Sequence, residues 1–139
     1  MLKQTIIDPN WAWDENFPLA QGLRVGDFLF MSGQVALDAD GRVVGPGNLQ
    51  TQARQVFENM KTILTKAGAT FNNVVKLTTY FTSDVRNYEE YFTVRRQYFG
   101  DHRPASTGVQ VVALAFQDLL LEVEAIAYVP RTRRRAARR

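Results

Sequence analysis

Two amphipathic helices are available to cover six strand-like segments, and that imbalance limits the fold more than any other feature of the chain. Leu49, Ala53, Val56, Met60, Ile63 and Ala67 recur at helical spacing behind Asn48, a good capping residue, and Gly68 suits the position that ends the helix. A second helix opens at Asn87-Tyr88-Glu89-Glu90, with an asparagine cap and a glutamate three residues on. Tyr88, Tyr91, Phe92, Arg95 and Tyr98 share one face of it, and Gly100 ends it. The strand-like runs are 2–7, 19–25, 27–31, 74–82, 106–113 and 119–129, with a hairpin signal at Gly26 and a tight turn at Asp38-Ala39-Asp40-Gly41. Strands and helices do not strictly alternate, so a doubly wound parallel sheet is disfavoured. The order predicts an α+β fold, a single mixed sheet with both helices on one face. Val109, Val111, Leu121, Val123 and Leu29 give the strands apolar groups on both faces. One face is therefore left uncovered, which predicts self-association.

The length of 139 residues corresponds to one domain, read as residues 1–130 followed by a basic tail over 131–139. Hydrophobic residues make up 45% of the chain, enough for a core, and no run is long enough to span a membrane. The start, Met1-Leu2-Lys3-Gln4-Thr5, lacks the apolar stretch of a secretory signal, so a cytoplasmic protein is expected. Without cysteine there is no disulfide or thiolate chemistry. The net charge of +3 hides an asymmetry: six of the 17 basic residues lie in the tail, leaving 11 basic against 14 acidic residues in the body. The mildly acidic body argues against a nucleic-acid partner. The tail, which has no apolar face, is expected to be a loosely held, solvated extension.

Several motifs follow one another in a recognisable order. Pro18 precedes Gln21-Gly22; Phe30-Met31-Ser32-Gly33-Gln34 ends an early strand; Asn59 to Gly68 closes the first helix; and Val75-Lys76 leads a β-rich run to Asp84. Arg103-Pro104-Ala105-Ser106-Thr107-Gly108-Val109 and Leu121-Glu122-Val123-Glu124-Ala125 complete the set. In this order the chain resembles the RidA/YjgF family of imine/enamine deaminases, formerly called the endoribonuclease L-PSP family, from about residue 15 to Tyr128. The resemblance implies a chorismate-mutase-like sheet, a compact homotrimer, small-molecule sites in the clefts between subunits, and chemistry without a cofactor or metal. One extra residue between Lys76 and Asp84 reads as a bulge.

The resemblance also assigns site residues. The family's cleft glutamate falls on Glu122, where it implies a base that positions or activates water. Alternation puts Glu122 and Glu124 on one face, opposite Leu121 and Val123. Ser32, Gly33 and Gln34 fall on a strand end where backbone donors can approach a ligand. Ser106, Thr107 and Gly108 occupy the family's carboxylate-binding segment, but Ser106 stands where the family carries arginine. A hydroxyl supplies neither the charge nor the two-pronged fork of a guanidinium. Leu19 replaces a tyrosine, Phe92 falls where some members carry asparagine, and Gly108 falls where many carry cysteine. Each change makes the cleft more apolar or larger. Trp13, in a polar loop, is the best aromatic candidate for the pocket. Trp11 and Phe17 are further candidates, while Tyr91 and Phe92 suit packing in the core or at a trimer interface better than the pocket. Arg103 would need a register shift to replace the arginine, and His102, the sole histidine, is most simply a loop residue.

Three functions are compatible with these residues: a cofactor-free imine or enamine hydrolase acting on an atypical metabolite, a non-catalytic small-molecule-binding trimer that regulates a partner, and a ribonuclease or translation inhibitor. Ser106 predicts weak or absent activity on the usual carboxylate-bearing enamines, and the acidic body disfavours the third function.

Overall fold

A computed structural model describes residues 2–132. The six-stranded sheet runs in the order β1-β2-β3-β6-β4-β5. The strands are β1 (Gln4–Ile7), β2 (Gly22–Val25), β3 (Phe28–Gln34), β4 (Val74–Thr82), β5 (Ala105–Val111) and β6 (Leu121–Tyr128). Only β4 and β5 pair in parallel; every other neighbouring pair is antiparallel. The mixed α+β sheet expected from the element order is therefore the one observed. The parallel pair follows from α2 (Tyr88–Phe99), which carries the chain back between β4 and β5.

The longer helix, α1 (Leu49–Lys66), begins where the Asn48 side chain accepts a hydrogen bond from the Thr51 N–H. Its apolar stripe buries Ala53, Val56, Phe57, Met60, Ile63 and Leu64 against the sheet residues Leu29, Leu77, Leu121 and Val123. Asn87 caps α2 through the Glu89 N–H, one residue short of the capping-box donor. Tyr91 is core, as expected, with its hydroxyl 2.7 Å from the Thr79 hydroxyl.

Three local expectations need adjusting. The strand around residue 20 starts at Gly22 rather than Leu19, because the aromatic loop forms a 3-10 turn at Ala12–Asp14 and its tail occupies 15–21. The third strand does not stop at Met31 but runs to Gln34 through a register shift. The irregularity in β4 lies between Val74 and Lys76; from Lys76 to Phe81 the pairing is unbroken, so the bulge precedes the segment where it was expected. The tail is described only as far as Thr132, so the expectation for its arginine-rich remainder lies outside the described residues.

Alternation leaves the other sheet face open. Phe28, Phe30, Val109 and Tyr128 on it are each more than 40% exposed, and Phe28 packs on Tyr128 with ring centroids 5.5 Å apart.

Candidate active site

The site is built on a mismatch between β3 and β6. Met31 pairs with Ala125 and Gln34 with Val123, so Ser32 and Gly33 together oppose the single residue Glu124. Two residues against one is a bulge, which twists the strand and turns its backbone toward the next side chain on the partner. That side chain is Glu122. Its carboxyl lies directly over Gly33: a Cβ on Gly33 would collide with Oε1 and sit 2.8 Å from Cδ. The missing Cβ at position 33 is thus the space that the Glu122 carboxyl fills. Along β6, Leu121, Val123, Ala125 and Ala127 are buried toward α1, while Glu122 and Glu124 are half-buried on the opposite face.

A concavity of about 390 Å³ opens at this carboxyl. Trp13, Phe17, Leu19, Val35, Ala115 and Phe116 form its apolar wall; Gln21, Ser32, Gly33 and Glu122 supply the polar edge. Trp13 stacks on Trp11 (5.8 Å, 14°) and meets Phe17 edge-on (6.1 Å, 72°). The turn at Gly41 fixes it from behind. Gly41 has φ +78°, and a Cβ there would lie 2.8 Å from Trp13 Cβ, so both conformation and space require glycine. The Trp13 Nε1–H is buried with no partner among the described residues.

A chain of amides holds this loop to the bulge. Gln34 Nε2 donates to Gln21 Oε1 (2.8 Å) and to the Ser32 carbonyl (3.0 Å), and Gln21 Nε2 donates to Asp14 Oδ2 (2.8 Å). Gln34 is buried behind the pocket and does not line it. Ser32 lines the pocket, but its hydroxyl donates to the Ala20 carbonyl (2.6 Å) and its N–H to the Gln21 carbonyl (2.9 Å). Its role within the chain is therefore to fix segment 20–21.

Burial is the main reason that the Glu122 carboxyl is held above the ordinary glutamate range, with the Glu124 charge adding to it. Glu124 accepts a 2.8 Å hydrogen bond from Tyr80 Oη, which pushes that phenol up. Among the described residues Glu122 has no such donor to stabilise its charge. A half-buried carboxylate without a donor is a better base than a solvated one and has a free face for water.

The remaining predicted residues lie elsewhere. Ser106 pairs with Leu77 on the helical side of the sheet, and its hydroxyl accepts from Arg95 Nη1 of α2 (2.9 Å). The Arg95 guanidinium sits over the Phe99 ring, 5.5 Å from its centroid. Thr107 accepts from Lys76 Nζ (2.6 Å), and Gly108 backs onto Phe81. Phe92 is exposed on α2 beside Tyr91. Within one chain the predicted set therefore forms two groups: Glu122, Ser32, Gly33, Leu19 and Trp13 at the pocket, and Ser106, Thr107, Gly108 and Phe92 along β5 and α2. His102 Nε2 donates to the Val74 carbonyl (2.6 Å) and the ring stacks on Phe99, consistent with a loop role. Sequence reasoning missed Phe116 and Arg95. Phe116 belongs to an irregular loop without periodicity, and Arg95 looked like one member of a helix face. Among the described residues no cluster of histidine and carboxylate groups could hold a metal, and no helix is long and apolar enough to cross a membrane.

The fold and pocket define a small α+β protein that presents one carboxylate, unpaired among the described residues, over a strand bulge. Comparison with known proteins places it further. The Endoribonuclease L-PSP family profile matches residues 12–129, and the chain belongs to that family, also known as RidA/YjgF or RutC. A RutC family protein of Pyrococcus abyssi is 40% identical over 111 residues, covering 80% of this chain and 86% of the relative. The 2-iminobutanoate/2-iminopropanoate deaminase of Mus musculus is 36% identical, covering 79% and 80%. The Rid family protein YyfA of Yersinia pestis, of unknown function, superposes with a TM-score of 0.83 at 30% identity, covering 91% of this chain and all of that one.

Proposed function

We propose that the protein is a cofactor-free imine hydrolase whose base is Glu122. The observation that carries this reading is the half-buried, donor-free Glu122 carboxyl held over Gly33 at the mouth of an apolar pocket. Similarity to the mouse deaminase supports the reaction class. An imine carbon is electrophilic enough to need only a proton acceptor for water and a proton donor for nitrogen. Glu122 takes a proton from water as the oxygen bonds to the imine carbon. It returns that proton to nitrogen to give a carbinolamine, then carries the hydroxyl proton from oxygen to nitrogen as the carbonyl forms, the C–N bond breaks and ammonia leaves. The apolar wall keeps bulk water from solvating the carboxylate and so preserves its basicity.

We also propose that the open sheet face closes in a homotrimer. This would set the Glu122 pocket of one subunit near the β5 edge and Phe92 of the next, uniting the two groups of site residues in one cleft. The apolar residues of that face support the arrangement. A cytoplasmic location fits this reading. A ribonuclease is disfavoured, since no cation among the described residues lines the Glu122 pocket and His102 is engaged at Val74.

The test generates imines in place with an amine or amino-acid oxidase and follows ammonia release with and without the protein. Wild type should accelerate release from at least one imine, and Glu122→Gln should lower that turnover by about 10²–10⁴-fold. Glu124→Gln should change it far less. A protein that binds imines or their products without accelerating hydrolysis would be a binding protein instead.

A further inference from the structure

We infer that the pocket selects a protonated imine without a carboxylate, derived from a primary amine that bears an aryl or bulky alkyl group. The inference rests on the hydrolase reading and adds the substrate's charge and shape. Charge comes first. Among the described residues Glu122 is the only ionisable side chain lining the pocket, and Glu124 stands two residues along the same face. Among the described residues, the four cations on the neighbouring strands and α2 are engaged elsewhere: Arg24 donates to the carbonyls of Gly26, Ala67 and Val129, and Arg96 faces Glu89. Lys76 donates to Thr107, and Arg95 is fixed by Ser106 and Phe99 on the helical side of the sheet, opposite the Glu122 face. A 2-imino acid would bring its own carboxylate toward this negative site, where no cation among the described residues of the same chain lines the pocket to receive it. A monoamine-derived iminium has net charge +1 and is attracted to the same field.

Shape points the same way. Trp13, Phe17 and Phe116 give the pocket aromatic walls, and aromatic faces attract cations as well as apolar groups. A volume of about 390 Å³ exceeds what a two- or three-carbon imine needs and accommodates a phenethyl-sized group. The reaction balances without a further reagent. R–CH=NH₂⁺ and H₂O give R–CHO and NH₄⁺: a C–O bond forms from water, the C–N bond breaks, and Glu122 carries both water protons, one after the other, from oxygen to nitrogen. The class of reaction that must supply such a substrate is the two-electron oxidation of a primary amine.

Two measurements test this on the intact protein. Calorimetric titration compares 2-phenylethylammonium, a stable cation of the right shape, with 3-phenylpropanoate. The ammonium should bind at least about tenfold more tightly, and Glu122→Gln should remove the preference. Equal or tighter binding of the carboxylate would overturn the inference whether or not the variant folds. Hydrolysis is then compared for imines made by amine oxidase from 2-phenylethylamine and by amino-acid oxidase from phenylalanine. The inference requires the amine-derived imine to be the better substrate. If the imino acid is preferred and Arg95→Gln abolishes that preference, the α2 guanidinium receives a carboxylate and the inference is wrong, although the hydrolase reading stands. If the ammonium binds preferentially but neither imine is hydrolysed faster, the charge selection is right and the hydrolase reading is lost.

Discussion

At the scale of single residues, Glu122 and Gly33 act as one unit. Position 33 lacks a Cβ where the Glu122 carboxyl lies, so Gly33→Ala must displace either the carboxyl or the strand. Overpacking of this kind typically costs about 1–3 kcal/mol. The variant should unfold at lower urea concentration and lose most of the turnover that Glu122→Gln loses. Glu122→Gln should do the opposite to stability. The Glu122 carboxyl is raised in the folded chain, so the unfolded chain releases this proton more readily. The group therefore lowers stability as pH rises through the folded-state value, and has no such effect below its ordinary value of 4.5. Glu122→Gln should melt slightly above wild type at pH 7, and the gap should close toward pH 4. A variant that melts well below wild type at pH 7 would make Glu122 a structural residue. Both residues stand out in the sequence, one as a glutamate in an apolar strand and the other as a glycine breaking a strand. Their contact does not, because it depends on a register shift that only pairing reveals.

Among the elements, α1 and β4 were legible almost to the residue, since an apolar stripe of 3.6 period and a β-branched run are strong local signals. The Asn48 cap is one of those signals. Asn48→Ala should lower stability by about 1 kcal/mol in urea titration, through loss of the bond to the Thr51 N–H. The ends of β2 and β3 were less legible because they depend on tertiary contacts. Leu19 to Gln21 look strand-like, yet hydrogen bonds from Ser32 and Gln34 hold them as the pocket's edge. Position 106 teaches a similar lesson. The sequence shows a serine in place of the family's arginine, while the fold brings Arg95 from α2 to the serine hydroxyl. Spacing along the chain carries no trace of that approach.

For the whole molecule, one sheet face is covered by α1 and α2, and the other presents Phe28, Phe30 and Tyr128 to solvent in the single chain. Light scattering should give a particle about three times the 15.8 kDa chain. Phe30→Glu, at an open-face position, should yield a folded monomer with little turnover, because the two groups of site residues would no longer meet. A wild-type monomer at micromolar concentration would remove the shared-cleft reading and leave only the Glu122 pocket. That pocket holds the central claim, that one half-buried carboxylate activates water for imine hydrolysis. The most direct measurement is the pH dependence of kcat/KM on a single imine, divided by its spontaneous hydrolysis rate at each pH. The account predicts an acid limb whose midpoint lies above the ordinary glutamate value of 4.5, and its disappearance in Glu122→Gln. The same limb persisting in Glu122→Gln would contradict it.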